Sequence, residues 1–266
     1  MCYHLKLLNI LKRWGCGKMN NVTLAFMLTI LAGLTTGLGG LLVMFSKTTN
    51  KKMLCVYLSF AAGAMLYLSF AEVLFESFEI LEYSIATVAF FVGVALMAIV
   101  DKLIPHEHED EKELQRTGIM SFLAVAIHNF PEGFVTFVAT MHNPALGIAI
   151  AIAISIHNIP EGIAIATPIY HATGSKVKAV GMSVLSGLTE PLGAIAAWIV
   201  LQRVTGDLDG LFGVVFAVVG GIMVFVAIHQ LLPVAQKHCK HHTVMKWLFS
   251  GMIAMAISLV ALEFLL

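Results

Sequence analysis

Eight apolar runs constrain this sequence more than any other feature. Each is about 20 residues long, which is the length that an α-helix needs to cross roughly 30 Å of hydrocarbon. With 59% hydrophobic and 12% charged residues, the chain does not have the composition of a soluble domain. Breaks rich in charge, glycine, proline or asparagine separate the runs. The predicted spans lie near 24–45, 54–76, 83–103, 119–140, 146–169, 178–201, 211–233 and 245–265.

These spans take up most of the 266 residues, so the sequence predicts an all-α integral membrane protein with a single transmembrane domain, 1–266. Residues 1–21 form a predicted N-terminal tail. The longest predicted loop, 104–118, is rich in histidine and acidic residues. No segment remains that could form a soluble catalytic domain, and no nucleic-acid partner is expected.

Lysine and arginine are distributed unevenly among the predicted loops. The loops after spans one, three, five and seven carry eleven of them, whereas the loops after spans two, four and six carry only Arg203. The positive-inside rule therefore places the first set in the cytoplasm and both termini on the extracytoplasmic side. Four basic residues in the N-terminal tail argue the other way, but the loop majority decides the prediction.

The four cysteines, Cys2, Cys16, Cys55 and Cys239, contain no CxxC pair. The chain also has no secreted domain that disulfides would need to stabilise. A structural disulfide is therefore not expected.

A six-residue pattern, His-Asn-x-Pro-Glu-Gly, occurs twice in the interior of the predicted membrane domain. The copies at 128–133 and 157–162 lie in the middle of spans four and five, and Glu190 is central in span six. A short connection makes spans four and five antiparallel neighbours, so the copies meet at the same depth. No lysine or arginine lies in the interior of any span. Each carboxylate at this depth costs about 3 kcal/mol, so the set requires a cation.

The spacing within each copy is that of metal ligands. Histidine and glutamate are four residues apart and share a helix face, while asparagine is three residues before the glutamate. Each glutamate could therefore bridge two ions, and a binuclear site follows as a hypothesis. Imidazole with carboxylate and amide oxygen suits Zn(II), Fe(II), Mn(II) or Co(II) better than Cu(I), Mg(II) or Ca(II). The candidate ligands are His128, Asn129, Glu132, His157, Asn158, Glu161 and Glu190.

The paired motifs resemble those of the ZIP (Zrt/Irt-like protein) metal transporters, most closely the bacterial zinc-transporting branch of that family. The resemblance extends to segments 61–66, 101–106 and 186–190. It implies eight helices with both termini outside, a homodimer, and cation uptake into the cytoplasm by alternating access. It also implies a first site of His128, Glu132, His157 and Glu161, and a second site of Asn129, Asn158 and Glu190 that shares the two glutamates.

Candidate pathway ligands lie on both sides of the motifs. In the predicted orientation, Ser69 and Glu72 lie toward the outer end of span two, and Asp101 and His229 lie toward the inner ends of spans three and seven. Related chains often carry glutamate after the position of His229, but this chain has Gln230, which weakens any role of that residue in metal release. The histidine-rich segments 106–108 and 238–242 could gather metal on release, but charged loops are more often solvated connections, and that interpretation is favoured.

The predicted function is uptake of Zn(II), with Fe(II), Mn(II) and Co(II) as further candidate cargoes, through a bacterial inner membrane. The expected partners are these ions, lipid and a second copy of the chain, and no catalytic cofactor is expected. An intramembrane metal-dependent hydrolase is the alternative, although the HExxH pattern is absent. A metal-sensing or proton-conducting membrane protein also stays open, and cation uptake would distinguish it from a transporter.

Overall fold

The computed structural model describes residues 19–45, 50–103, 110–203 and 209–263. These residues form eight helices that are long and apolar enough to cross a membrane, and no strand. The predicted all-α, eight-helix architecture is confirmed. The helices are α1 (Met19–Val43), α2 (Lys51–Leu68, Ser69–Val73 and Leu74–Ile80), α3 (Tyr83–Leu103), α4 (Asp110–His142), α5 (Pro144–Thr173), α6 (Lys176–Gly187 and Thr189–Arg203), α7 (Asp209–Phe225, Val226–Leu231 and Leu232–His238) and α8 (His241–Glu263).

The helices pack as two groups. In the first group, α5 packs against α1 and α4, and α6 packs against the same two helices. In the second group, α2 packs against α8 and α7, and α7 packs against α3. The groups meet where α2 lies against α5 and where α4 lies against α7. Large apolar side chains from both groups share one buried cluster at this boundary, for example Met65, Met120, Ile163 and Met223.

Glycines allow close contact between helices of the same group. Gly33 of α1 and Gly187 of α6 face each other, and a side chain at either position would overlap the other's carbonyl oxygen. In the second group, Gly63 of α2 lies against Leu248 of α8 in the same way. Small residues are the usual means by which membrane helices approach closely. At every described glycine where an added Cβ would overlap a neighbouring helix, that helix belongs to the same group. Close glycine contacts therefore do not join the two groups.

The turn between α4 and α5 explains why these helices are antiparallel neighbours. A single residue, Asn143, separates them, and its side chain accepts a hydrogen bond from the amide of Ala145 at 3.0 Å. Pro144 occupies the first helical position, where its missing N–H leaves no donor unsatisfied. The chain therefore reverses direction at once, and the two repeated motifs are brought opposite each other.

Two helices contain a wider, π-helical turn, and a third is interrupted. The π-helical segments are Ser69–Val73 in α2 and Val226–Leu231 in α7. Helix α6 is interrupted at Leu188. Such irregularities are frequent at functional sites, and the sequence patterns did not indicate them.

A disulfide joins Cys55, near the start of α2, to Cys239, which follows α7; their Cα atoms are 6.1 Å apart. The expectation of no structural disulfide was therefore wrong. The two cysteines are 184 residues apart in sequence and meet only because α2 packs against the end of α7. The bridge lies at the membrane end that the basic loops assign to the cytoplasm.

Some predicted tails and loops fall outside the described residues. This applies to most of the N-terminal tail and to residues 104–109, which include the first histidine-rich segment. From Asp110 onward the predicted loop is helical and forms the first turns of α4. The second histidine-rich segment, 238–242, joins α7 to α8.

We expect Gly187→Ala to lower the melting temperature of the detergent-solubilised protein by several degrees. The added methyl group would overlap the Gly33 carbonyl, and overpacking of this kind costs about 1–3 kcal/mol. Gly181→Ala in the same helix is the matched control, because nothing lies within 4 Å of its added Cβ. It should melt at or above the wild-type temperature by differential scanning fluorimetry. Equal melting temperatures for the two variants would contradict the packing argument.

Candidate metal site

The two repeated motifs lie opposite each other in the interior of α4 and α5. Both helices continue through Pro131 and Pro160, so each proline removes a backbone donor without ending its helix. The histidines and glutamates of both motifs are at most 9% exposed. The motif side chains are therefore held between membrane-spanning helices and away from bulk water.

Glu132 is the centre of the cluster. Its Oε1 lies 2.8 Å from Nε2 of His128 and 2.8 Å from Nε2 of His157. One ligand atom from each of these three residues lies within 4.8 Å of the others. Glu161 approaches the same point, with Oε1 3.6 Å from Nε2 of His128. The structure thus brings together the four residues predicted to form the first metal site.

Several polar atoms of this cluster are buried without a hydrogen-bond partner. Among the described residues, His128 Nε2, Glu132 Oε2 and Glu161 Oε1 find none. The His128 imidazole is close to Glu132, but the direction of approach does not suit a hydrogen bond. Buried polar atoms without a hydrogen bond are costly in a low-dielectric interior. Two imidazoles and two carboxylates in this arrangement fit a divalent transition-metal ion, which would satisfy them together.

The predicted second set lies beside the first. Asn158 Nδ2 donates to Glu190 Oε1 at 2.5 Å and to the carbonyl of Ala32 in α1 at 3.0 Å. Asn158 Oδ1 and Glu190 Oε2 are buried and unpaired within the described part of the chain. An amide oxygen and a carboxylate oxygen are thus available here, at the junction of α1, α5 and α6.

Glu161 connects the two sets. Its Oε1 faces His128, and its Oε2 accepts a hydrogen bond of 3.2 Å from the amide nitrogen of Asn129 when that amide is oriented to satisfy both of its ends. The two oxygens of one carboxylate therefore face different ligand sets. This arrangement is the one that a bridging ligand between two ions requires.

Close packing determines the position of Glu190. It lies in the first turn of the second segment of α6, directly after the interruption at Leu188. A side chain at Gly133 would overlap the backbone of Glu190, and a side chain at Gly193 would overlap the carbonyl of Phe130. The glycine that ends the first motif is therefore needed to let α6 bring Glu190 to the site.

Glu72 is the predicted entry ligand and belongs to the other helix group. It lies in the π-helical segment of α2, and its buried Oε2 has no hydrogen-bond partner among the described residues. It is near enough to His157 and Glu132 to interact electrostatically with both. Ser69, in the same segment, donates its hydroxyl to the carbonyl of Met65 at 2.7 Å.

The predicted exit ligands lie together at one end of the helices. His229 Nε2 is 3.4 Å from Oδ2 of Asp101, whose side chain is buried. Asp101 Oδ1 also accepts hydrogen bonds from Arg116 Nη2 and Gln230 Nε2, each at 2.5 Å. The sequence reasoning placed Arg116 in a loop and weakened the role of Gln230, so it missed this network.

A signal for Arg116 was present in the sequence. It stands directly before the long apolar run of α4, where a charged residue must either extend to the interface or find a buried partner. Its partner could not be identified, because Asp101 lies on a different helix whose neighbours the sequence does not specify.

Comparison with known proteins gives matches over most of the chain. Residues 101–259 match the model of a family described as ZIP Zinc transporter. The chain is 43% identical to the zinc transporter ZupT of Clostridium perfringens, over 92% of this chain and 98% of that protein. It is 46% identical to ZupT of Streptococcus mutans, over 88% and 96%, and 45% identical to ZupT of Oceanobacillus iheyensis, over 92% and 100%.

The family match covers more than half of the residues, and these relatives align with nearly the whole chain. The eight long apolar helices agree with a multi-pass membrane protein. The chain belongs to the ZIP zinc transporter family.

Proposed function

We propose that this protein carries Zn(II) across the membrane into the cytoplasm, through the site formed by His128, Glu132, His157 and Glu161. The convergence of two imidazole nitrogens on one carboxylate oxygen, inside a membrane-spanning bundle, is the observation that carries the proposal. The matched relatives are named zinc transporters. The protein is a transporter and not an enzyme, and in a bacterium it resides in the inner membrane. No observation favours the alternative of an intramembrane hydrolase.

The ligands have distinct roles in this proposal. Neutral imidazoles of His128 and His157 supply borderline-soft nitrogen, which suits Zn(II). Carboxylates of Glu132 and Glu161 supply negative charge that the ion offsets in the low-dielectric interior. When the ion leaves, protons are the other cations that can stabilise these groups. Proton exchange at the emptied site therefore accompanies each transport cycle.

A second ion is held by Asn129, Asn158 and Glu190. The two oxygens of Glu161 face the two ligand sets, which supports a shared carboxylate. Glu132 completes the bridge with its unpaired Oε2. Two ions bound side by side would repel each other, so occupation of one position would weaken binding at the other and promote release.

The pathway follows from the two helix groups. The candidate ligands lie on α4, α5 and α6 of the first group, whereas Glu72 and Ser69 lie on α2 of the second. Displacement of one group along the other would expose the site alternately to the two sides of the membrane. We place Ser69 and Glu72 on the entry side, Asp101 and His229 on the exit side, and both termini outside the cytoplasm.

Other cargoes and the assembly state belong to the same proposal. Nitrogen and oxygen ligands without thiolate would also accept Fe(II), Mn(II) and Co(II), so we propose these ions as further cargoes. We also propose that the protein works as a homodimer, as the family resemblance implies.

Replacement of a central ligand should abolish uptake. We expect Glu132→Gln and His157→Ala to lower the initial rate of radioactive zinc uptake into proteoliposomes by at least about tenfold, because each change removes a ligand from a buried site. Glu79→Gln, which neutralises an exposed carboxylate of α2, is the matched control and should transport normally. Normal zinc flux in both site variants would refute the site assignment.

The binuclear arrangement predicts that the wild-type protein and its site variants bind different numbers of zinc ions per chain. Purified wild-type protein should bind about two Zn(II) per chain, and Glu190→Gln should reduce this to about one, because it removes a carboxylate from the second position only. Glu132→Gln should lower occupancy of both positions, since its carboxylate is shared. Metal content after desalting gives the measurement. A wild-type value of one ion would exclude the second position.

Glu72 should affect how readily zinc enters. We expect Glu72→Gln to raise the KM for zinc uptake several-fold with a smaller effect on kcat, because a negative charge near the site concentrates cations. Glu82→Gln, an exposed carboxylate just beyond α2, provides the comparison and should leave KM within about twofold. An unchanged KM in Glu72→Gln would remove this residue from the entry route.

A further inference from the structure

Two ion pairs that join the helix groups lie at the same end of the bundle. Arg116 of α4, in the first group, contacts Asp101 of α3, in the second, with Nη2 2.5 Å from Oδ1. Glu113 of α4 likewise contacts Lys237 of α7, with both carboxylate oxygens 2.6 Å from Nζ. The basic loops assign this end to the cytoplasm. Charged groups therefore meet across the boundary between the groups at the side where the cargo would leave.

The inner pair is buried, and Gln230 hydrogen-bonds to both of its members. Asp101, Arg116 and Gln230 are 5%, 8% and 3% exposed. Arg116 Nη2 donates to the carbonyl oxygen of Asp101 at 2.8 Å as well as to its carboxylate. Gln230 uses both ends of its amide, because Nε2 donates to Asp101 and Oε1 accepts from Arg116 Nη1 at 3.4 Å. An ionised glutamate at this position could not donate to Asp101.

The outer pair differs in its surroundings. The side chains of Lys237 and Glu113 are 53% and 30% exposed, so water solvates them whether or not they meet. Exposed pairs of this kind contribute little to an equilibrium. Asp101 has no such access to water while the boundary is closed. A buried carboxylate whose charge no cation offsets is costly, so it would strongly disfavour the closed boundary.

We propose that Arg116 is a tethered counter-ion that neutralises Asp101, and so allows the cytoplasmic boundary between the helix groups to close when no metal ion is on the exit route. When the groups separate at this end, water enters and solvates both charges. A metal ion that reaches Asp101 and His229 then takes the place of the guanidinium. This inference rests on the proposed transport function for its physiological meaning, but the closure itself can be measured without transport.

Removal of one charge should therefore have the opposite consequence from removal of both. Arg116→Gln removes the guanidinium charge from beside the buried Asp101 carboxylate, and this loss matters only while the boundary is closed, so it should shift the protein toward the open state. The double variant Asp101→Asn/Arg116→Gln carries neither charge, so the boundary between its helix groups should close again. Replacement of both members of a buried pair is often nearly neutral, whereas loss of one is costly.

Thiol alkylation measures this opening. The probe is Met120→Cys in a chain whose native cysteines are replaced by alanine. Met120 is fully buried in the cluster shared by both groups, and it lies one helical turn from Arg116 on the same face of α4. A membrane-impermeant maleimide, added to each side of proteoliposomes in turn, reports its exposure. We expect Arg116→Gln to raise the alkylation rate from the cytoplasmic side at least about tenfold.

The controls distinguish the loss of a buried charge from the loss of an exposed charge and from misfolding. Lys237→Gln removes a cation from the same boundary at an exposed position, and it should change the rate less than about twofold. The double variant should return to within about threefold of the wild-type rate. Should Arg116→Gln fail to give folded protein, Asp101→Asn, which removes the carboxylate charge from beside the buried arginine, carries the same comparison.

A wild-type alkylation rate in the folded single variant would overturn the inference. So would a double variant that reacts as fast as Arg116→Gln, because loss of packing rather than of neutralisation would then explain the opening. Zinc uptake by the wild-type protein is a separate measurement. Its absence would refute the proposed function and leave the alkylation result standing.

Discussion

Negative charge buried in a membrane is the constraint on which the rest of this structure depends. Glu132, Glu161 and Glu190 are each at most 9% exposed within spans that hydrocarbon surrounds. Their described hydrogen-bond and ion-pair partners at the site are histidine and asparagine side chains, which cannot supply a permanent positive charge. The free energy of such a cluster is acceptable only when protons or metal ions occupy it. A carboxylate set of this kind is accordingly suited to binding and releasing a cation.

The packing of the first helix group positions the side chains of this cluster. The one-residue turn at Asn143 places the two motifs opposite each other, and Gly133 lets α6 come close enough to present Glu190. Close glycine contacts join α1, α4, α5 and α6 into one body, while larger apolar side chains form the boundary with the second group. The site is thus held within one body, and no described glycine makes a close contact across the surface between the two bodies.

Asp101 is also a buried carboxylate, but a neighbouring guanidinium offsets its charge. The motif carboxylates have no guanidinium or ammonium partner in the described contacts, whereas Asp101 accepts two hydrogen bonds from Arg116 and one from Gln230. A cluster without a resident cation is suited to hold cargo. A cluster with a tethered cation is suited to respond to cargo, because the guanidinium can be displaced but cannot leave. On the proposed transport route, a cation would pass both arrangements.

The sequence by itself determined the all-helical membrane class, the eight spans and the residues of the two motifs. These features are local, because span length follows from consecutive apolar residues and a shared helix face follows from spacing of three or four. Only the tertiary structure decided the pairing of Cys55 with Cys239, the burial of Arg116 against Asp101, and the division into two helix groups. The π-helical turns at Glu72 and His229 also appear only there. The physical reason is that each depends on which helices are neighbours, and apolar periodicity in lipid does not specify the neighbour.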